Sequence, residues 1–375
     1  MAISRENRRK NLYMLRGLGR KNAYDWWWHS FTAHNKVTGE PKSFFIEYFI
    51  INPSVSPKKI QFGNIQSVSK KEQKPSYIMI KAGAWGNDAK QIHNFYPVNS
   101  LQYHKKRLEL KIGDCSLSEK SLAGSVSLYP SDVKNHPEYM SSSGSMAWNL
   151  QMDKQIPFNV GFGTSLLFRS LWPFEMYWHA QGVKTLYTGS VVLDGVEYTV
   201  TPQRSFGYAD KNWGRDFTNP WLWLSSCNLI SLISGQRLKN SCFDIGGGRP
   251  KFLGRAFKKK ILFYFYLEGE EYEFNFSKFW KKSSVRYTFT QTGELVHWSV
   301  TAEDKRNFID VDVYCKKREM LFINYTAPNG LKLHNNLWNG GTGYGEIRLY
   351  KKVKKNLETI EHARIENCGC EYGEY

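Results

Sequence analysis

Ser190-Val-Val-Leu-Asp-Gly-Val-Glu-Tyr-Thr-Val200 decides the fold class of this 375-residue chain. Branched and aromatic residues fill both arms, and Asp194-Gly195 stands between them. A two-residue turn needs positive φ at its central positions, which Asp tolerates and Gly adopts freely, so the stretch reads as a β-hairpin. The same pattern repeats on either side. Upstream, residues 43–51, 77–82 and 108–112 are short runs of aromatic and branched side chains. Downstream, 261–267 and 272–276 flank Glu268-Gly-Glu-Glu271, and 285–290 and 295–300 flank Gly293. Residues 308–314, 320–325 and 346–350 continue the series. Helical spacing is confined to roughly the first 20 residues and to 356–364. Repeated short strands with hairpin turns predict an all-β protein. They are too many for one small barrel, so two β domains in series are expected, 20–215 and 216–375. The join is placed just after Trp213-Gly214.

Composition narrows the function. The chain has 13 Trp, 22 Tyr and 23 Phe, enough to build a core and still line a cavity. Lys and Arg number 52 against 34 Asp and Glu, a formal charge of +18. The basic residues sit in short runs such as Lys258-Lys-Lys260 between strands, with no zinc-finger, RNP or basic-zipper pattern, so nucleic acid is not expected as a partner. A solvated basic surface is the plain reading. Weak peripheral docking to an anionic bilayer is the functional one. The six cysteines form no CxxC pair and read as free thiols. No metal or organic cofactor is expected. No window approaches a membrane-spanning length, and the N-terminus lacks an apolar signal core. A cytoplasmic location, peripheral to a membrane at most, follows as an expectation. Oligomeric state is not legible.

Three aromatic-acidic clusters carry the candidate chemistry. They are Asp25-Trp-Trp-Trp-His-Ser-Phe31, Trp172-Pro-Phe-Glu-Met-Tyr-Trp-His-Ala-Gln-Gly182 and the segment from Tyr208 through Asp210 and Trp213 to Trp221 and Trp223. A carboxyl among indoles loses hydration, which raises its pKa. Held protonated, it can give its proton to an alkene or a carbonyl. Strand alternation puts His179 and Gln181 on one face and Trp178 on the other, and it puts Tyr208 with Asp210. Pairing of the two strands would gather His179, Gln181, Tyr208 and Asp210 in one pocket. The catalytic candidates are therefore Asp210, Tyr208 and His179. The substrate-lining candidates are Trp178, Gln181, Trp213, Trp221, Trp223, Trp28, His29 and Glu175. Each has a plainer reading: Trp as core, His as a satisfied structural residue, Asp210 as a surface ion pair. Asp25 reads as a cap or turn residue. Gly246-Gly-Gly-Arg-Pro250 and Gly340-Gly-Thr-Gly-Tyr-Gly345 read as tight turns or close approach of backbone to a ligand.

Tyr208-Ala-Asp-Lys-Asn-Trp-Gly214, then Trp221-Leu-Trp223, Cys227-Asn228 and Gly246-Gly-Gly248, resembles the signature of the tocopherol cyclase family. Trp172-Pro-Phe-Glu175 with Trp178 is similar to an upstream element of that family. The resemblance is close over 174–248 and extends more loosely to carotenoid hydratases and lipocalin-like Diels–Alder cyclases. It implies two lipocalin-like β-barrels with a hydrophobic cavity near their junction. It also implies protonation of a polyprenyl double bond, with the cation trapped by a phenol oxygen or by water. The Tyr and Asp of the hydratase branch match Tyr208 and Asp210, and its upstream His matches His179. Asp210 stands where plant-type cyclases tend to have Glu. The leading expectation is a cofactor-free cyclase, isomerase or hydratase of an isoprenoid-like hydrophobic substrate. A non-catalytic lipocalin-like carrier and a pericyclic cyclase are the alternatives.

Overall fold

Pro41–Ile51 shows why this chain folds as sheets covered on both sides. Successive strand side chains point to opposite faces. Phe44, Ile46, Tyr48 and Ile50 enter one apolar cluster, while Phe45, Phe49 and Ile51 enter another. An unbroken apolar run of this length therefore belongs to a strand buried on two faces. The computed structural model describes residues 4–17, 22–63, 73–160, 167, 171–278, 282–330 and 333–374.

Two large antiparallel sheets result, one of 12 strands and one of 11. The first runs through Tyr77–Ala84, Pro41–Ile51 and Tyr24–Asn35 to Val196–Val200, Met176–Leu193 and Gly144–Phe158. Gly207–Gly214 is inserted between Tyr24–Asn35 and Met176–Leu193 and pairs with both. The second sheet starts at Trp221–Ser226 and ends at Asn356–Gly373. Each sheet curls around its own core. Trp27, Trp148 and Tyr187 lie inside the first, and Leu224, Phe263 and Trp298 inside the second. A third cluster lies between them, with Trp26, Trp28, Trp178 and Tyr208 meeting Trp223, Tyr264 and Tyr325. The fold is nearly all-β, a closed small barrel and a half-barrel sheet, with short helices at Arg5–Lys10 and Pro130–Asn135. Among the described residues no helix is long and apolar enough to cross a membrane.

The hairpin at Asp194-Gly195 forms as read, with φ of 48° and 82° and Leu193 opposite Val196. The next one is tighter than expected, because Glu268-Gly269 alone makes the turn and Leu267 pairs with Glu270. Two expectations are corrected. Residues 356–364 are not helical but open the strand Asn356–Gly373. Residues 356–363 pair with Leu333–Val353 in a hairpin, Asn356 lying opposite Val353, and the second edge is taken up only from Ala363 onward by Asn228–Ser231 and Trp221–Ser226; the hairpin ladder overrides weak helical spacing. The glycine clusters are not turns either. The glycines of both lie within strands, where Gly246 and Gly341 leave room for indoles and Gly247 and Gly248 line an apolar cavity. A Cβ on Gly246 would stand 2.8 Å from the Trp178 ring, and one on Gly369 would stand 2.3 Å from Trp223.

Gly369→Ala should therefore overpack the layer between the sheets and lower stability by about 1–3 kcal/mol. Urea denaturation reads this, and an unchanged midpoint would show that Trp223 is not seated on this glycine.

Candidate active site

Every residue of Gly207–Gly214 is buried. Its register sets Asp210 opposite Trp28 on one neighbour and opposite Ala180 on the other. Alternation then turns Tyr208, Asp210 and Asn212 toward the second sheet, and Lys211 and Trp213 away from it. The Trp178 Nε1–H donates to Asp210 Oδ2 at 2.8 Å, and the Tyr208 hydroxyl lies 3.3 Å from the same oxygen. Tyr208 is also 3.3 Å from Asp244 Oδ2, on the second sheet, while Trp223 Nε1–H donates to Asp244 Oδ1 at 3.0 Å. A phenol carries one proton and can donate to one carboxyl at a time. The second contact is therefore a hydrogen bond only if a carboxyl supplies the proton. Asp244–Tyr208–Asp210 is thus a chain of three oxygens linking the two sheets, with at least one acid protonated.

Electrostatics agree with this geometry. Burial pushes Asp210 up to about 8; the Trp178 hydrogen bond opposes the shift and the nearby Glu371 adds to it. Burial, and then the Asp210 charge, raise Asp244 well above the usual carboxylate range. Glu371 is pushed up to about 7 by burial, against hydrogen bonds from Trp221 and Asn339. Asp210 Oδ2 already accepts from Trp178, whereas buried Oδ1 has no hydrogen-bond partner among the described residues. Farther along the same layer, Lys81 Nζ lies 2.7 Å from Glu47 Oε2, and the Tyr325 hydroxyl donates to that oxygen at 2.9 Å. One buried lysine among four carboxyls leaves excess negative charge unless protons are held.

An apolar cavity of about 430 Å³ lies beside the acids, with Phe174, Met176, Trp178, Trp221, Leu262 and Phe276 on its wall. Trp178 and Trp221 meet edge to face at 6.0 Å. Each lines the cavity and also donates its N–H to a buried acid, Trp178 to Asp210 and Trp221 to Glu371 at 2.6 Å. Asp210 and Tyr208 are not on the wall themselves; Trp178 joins them to it.

The fold gathers only part of the expected set. Tyr208, Asp210, Trp178, Trp223 and Trp28 share the layer between the sheets, with Trp28 stacked on Phe45 at 5.2 Å. His179 does not join them: it is registered opposite Lys211, so the pleat turns it to the other face. Gln181 follows a bulge after Ala180; it donates to the Asp210 main-chain carbonyl at 2.8 Å and accepts from Lys154 at 2.6 Å. Trp213 is on the far face, stacked on Tyr177 at 5.3 Å. His29 is there too, with Nδ1 2.9 Å from the Tyr187 hydroxyl. That hydroxyl donates to the Tyr208 carbonyl at 3.0 Å, so His29 Nδ1 is the donor and braces the Tyr208 backbone from behind. Glu175 pairs with Lys251 at 2.9 Å near the cavity rim. Asp25 is no cap: it sits in a strand as the buried counterion of Lys211 and accepts the Met14 N–H at 2.7 Å. Sequence reading missed Asp244, Glu371, Glu47 and Lys81. The signal was present in Cys242-Phe-Asp-Ile-Gly246 and Phe44-Phe-Ile-Glu-Tyr48, where a charge interrupts a strand apolar on both faces.

A folded pKa near 8 for Asp210, against 3.8 for the free side chain, gives a signed expectation. The native state keeps a proton that the unfolded chain releases, so this contribution to stability is present at low pH and is lost as pH rises from about 4 to about 8. Asp210→Asn should flatten that fall by on the order of a few kcal/mol, read from urea midpoints across pH. Identical pH slopes for both proteins would mean a charged Asp210 in the native state.

Residues 142–374 match the family described as Tocopherol cyclase-like. No curated protein sequence matches significantly. Three solved structures are similar along most of their length. A putative AttH from Nitrosomonas europaea is 9% identical, covers 96% of this chain and 94% of its own, and superposes with a TM-score of 0.49. CghA with Sch210972 is 10% identical, with 94% and 89% covered and a TM-score of 0.48. Kievitone hydratase from Nectria haematococca is 10% identical, with 97% and 94% covered and a TM-score of 0.45. The family match spans more than half the chain and takes in the Asp210 strand, Asp244 and both cavity indoles. The chain belongs to the tocopherol cyclase-like family.

Proposed function

We propose that this protein is an acid-initiated cyclase or hydratase of a prenylated or polyene lipid, with Asp210 as the proton donor. The observation that supports this most is a buried carboxyl, raised by that burial to about 8, hydrogen-bonded to an indole that walls an apolar cavity. The Asp210 proton adds to one carbon of the double bond, whose π electrons form the new C–H bond. The cation develops on the neighbouring carbon. The faces of Trp178 and Trp221 stabilise it, by up to ~2 kcal/mol each when desolvated. A phenol oxygen of the substrate, or a water, then bonds to the cation and loses a proton. That proton returns to the Asp210 carboxylate, so the cycle closes with no net change in the protein. Tyr208 donates to Oδ2 and steadies the carboxylate while Asp210 is ionised. Each indole does two jobs, turning its N–H to an acid and its ring to the lipid.

One observation favours a carrier instead: neither Asp210 nor Tyr208 lies on the cavity wall. Incubation with a prenylated phenol and with an acyclic polyene separates the readings. For the enzyme, Asp210→Asn should lower turnover by about 10²–10⁴-fold with substrate binding kept. The rate should fall as pH rises through about 8, where Asp210 loses its proton. A carrier would give no product, and its ligand affinity would be the same in both proteins. Trp178→Phe removes the hydrogen bond that favours the carboxylate, so the alkaline limb should move to higher pH. A limb that stays in place would detach Trp178 from the acid.

A further inference from the structure

Beside the mouth of the cavity runs Arg249-Pro-Lys-Phe-Leu-Gly-Arg-Ala-Phe-Lys-Lys-Lys260, with six basic residues and no acid in twelve positions. Part of it forms the small hairpin Lys251–Phe252 with Arg255–Ala256, which belongs to neither large sheet. The chain reverses at Leu253-Gly254, where φ is 48° and 79°. The hairpin is tied to the rim by a ring contact of 5.1 Å between Phe252 and Phe174, and by the Leu253 N–H donating to the Pro173 carbonyl at 2.8 Å. Two apolar side chains are left exposed: Leu253 at the turn, at 73%, and Phe257 just after the hairpin, at 51%. Phe257 also lines the cavity, as does Phe276.

Charge distinguishes this segment. Lys251 is paired with Glu175. Arg249, Arg255, Lys258, Lys259 and Lys260 are exposed and form no ion pair with any described residue. An exposed leucine alone means little. Exposed leucine and phenylalanine set among uncompensated cations, at the rim of an apolar cavity, match one kind of partner. Cations meet anionic headgroups while apolar tips enter the acyl boundary. Nucleic acid fits less well, since the most exposed apolar side chain, Leu253 at the turn, has no π face for a base, and Phe257 is shared with the apolar cavity wall.

We infer that the 249–260 segment docks this protein on an anionic lipid bilayer and sets the cavity mouth against the acyl layer. The inference rests on the reading of the cavity as a lipid-substrate site, but docking is measured without turnover. A lipid then passes from bilayer to cavity along Phe257 and Phe276, without crossing bulk water.

The test is co-sedimentation of the full chain with phosphatidylglycerol–phosphatidylcholine vesicles and with pure phosphatidylcholine vesicles. Binding should be at least about tenfold tighter to the anionic vesicles and should weaken with salt. Leu253→Asp, and separately Lys258→Glu with Lys259→Glu, should each weaken it about tenfold or more. Lys351→Glu with Lys354→Glu makes the same charge change on a different strand end and should leave it nearly unchanged. Equal binding to neutral vesicles, or equal loss in that control pair, would overturn the inference. So would competition by a single-stranded oligonucleotide that survives Leu253→Asp, which would assign the patch to nucleic acid. Turnover of detergent-solubilised substrate separates the two readings. Docking with no turnover sinks only the proposed activity; turnover with no docking sinks only this surface.

Discussion

The structure depends on keeping carboxyl groups neutral in the layer where two sheets meet. Asp210 and Asp244 come from different sheets and share one phenol, that of Tyr208, at 3.3 Å on each side. Two ionised carboxylates so placed would repel across a poorly hydrated gap and leave Tyr208 short of a donor. One proton removes both costs. The same proton is the one the proposed chemistry draws on, so the feature that lets the sheets close is also the one on which that proposal rests.

Around this link the layer is built from rings. Trp26, Trp28, Trp178 and Trp223 supply apolar area, and two of them also supply N–H groups to acids. Indole suits the task because it is wide, has a single donor and offers a π face on either side. Strand glycines make the room, as at Gly246 under Trp178 and Gly369 under Trp223. The Glu47–Lys81–Tyr325 cluster shows the other way to bury charge, by pairing and hydrogen bonding. The layer thus contains one neutralised pair and a set of acids raised by burial.

Much of the architecture was legible locally. Asp194-Gly195 and Gly293 mark hairpins through backbone freedom alone, and the apolar runs from 43 to 51 and from 261 to 267 mark strands covered on both faces. Residues 356–364 misled because helical spacing among half-exposed side chains is weak evidence against a strand held in a long hairpin with Leu333–Val353. The link between Tyr208 and Asp210 was legible because positions two apart on a strand share a face. The placement of His179 was not, since a strand's own alternation does not say which of its faces meets the partner's. The register Ala180 to Asp210 decides that, and it puts Trp178 beside the acid and His179 behind the sheet.

By itself the sequence determined an all-β chain rich in rings, the turns that divide its strands, and a carboxyl two residues from a phenol inside an aromatic segment. These follow from short-range rules of chirality, alternation and burial. Only the tertiary structure decided that Asp244 and Glu371, distant in the chain, would join that carboxyl. It also decided that Trp178 and Trp221 would stand between the acids and an apolar cavity, and that a basic hairpin would lie at its rim. Those outcomes depend on how two sheets stack, and stacking is set by contacts between residues far apart in the chain, which no local pattern records.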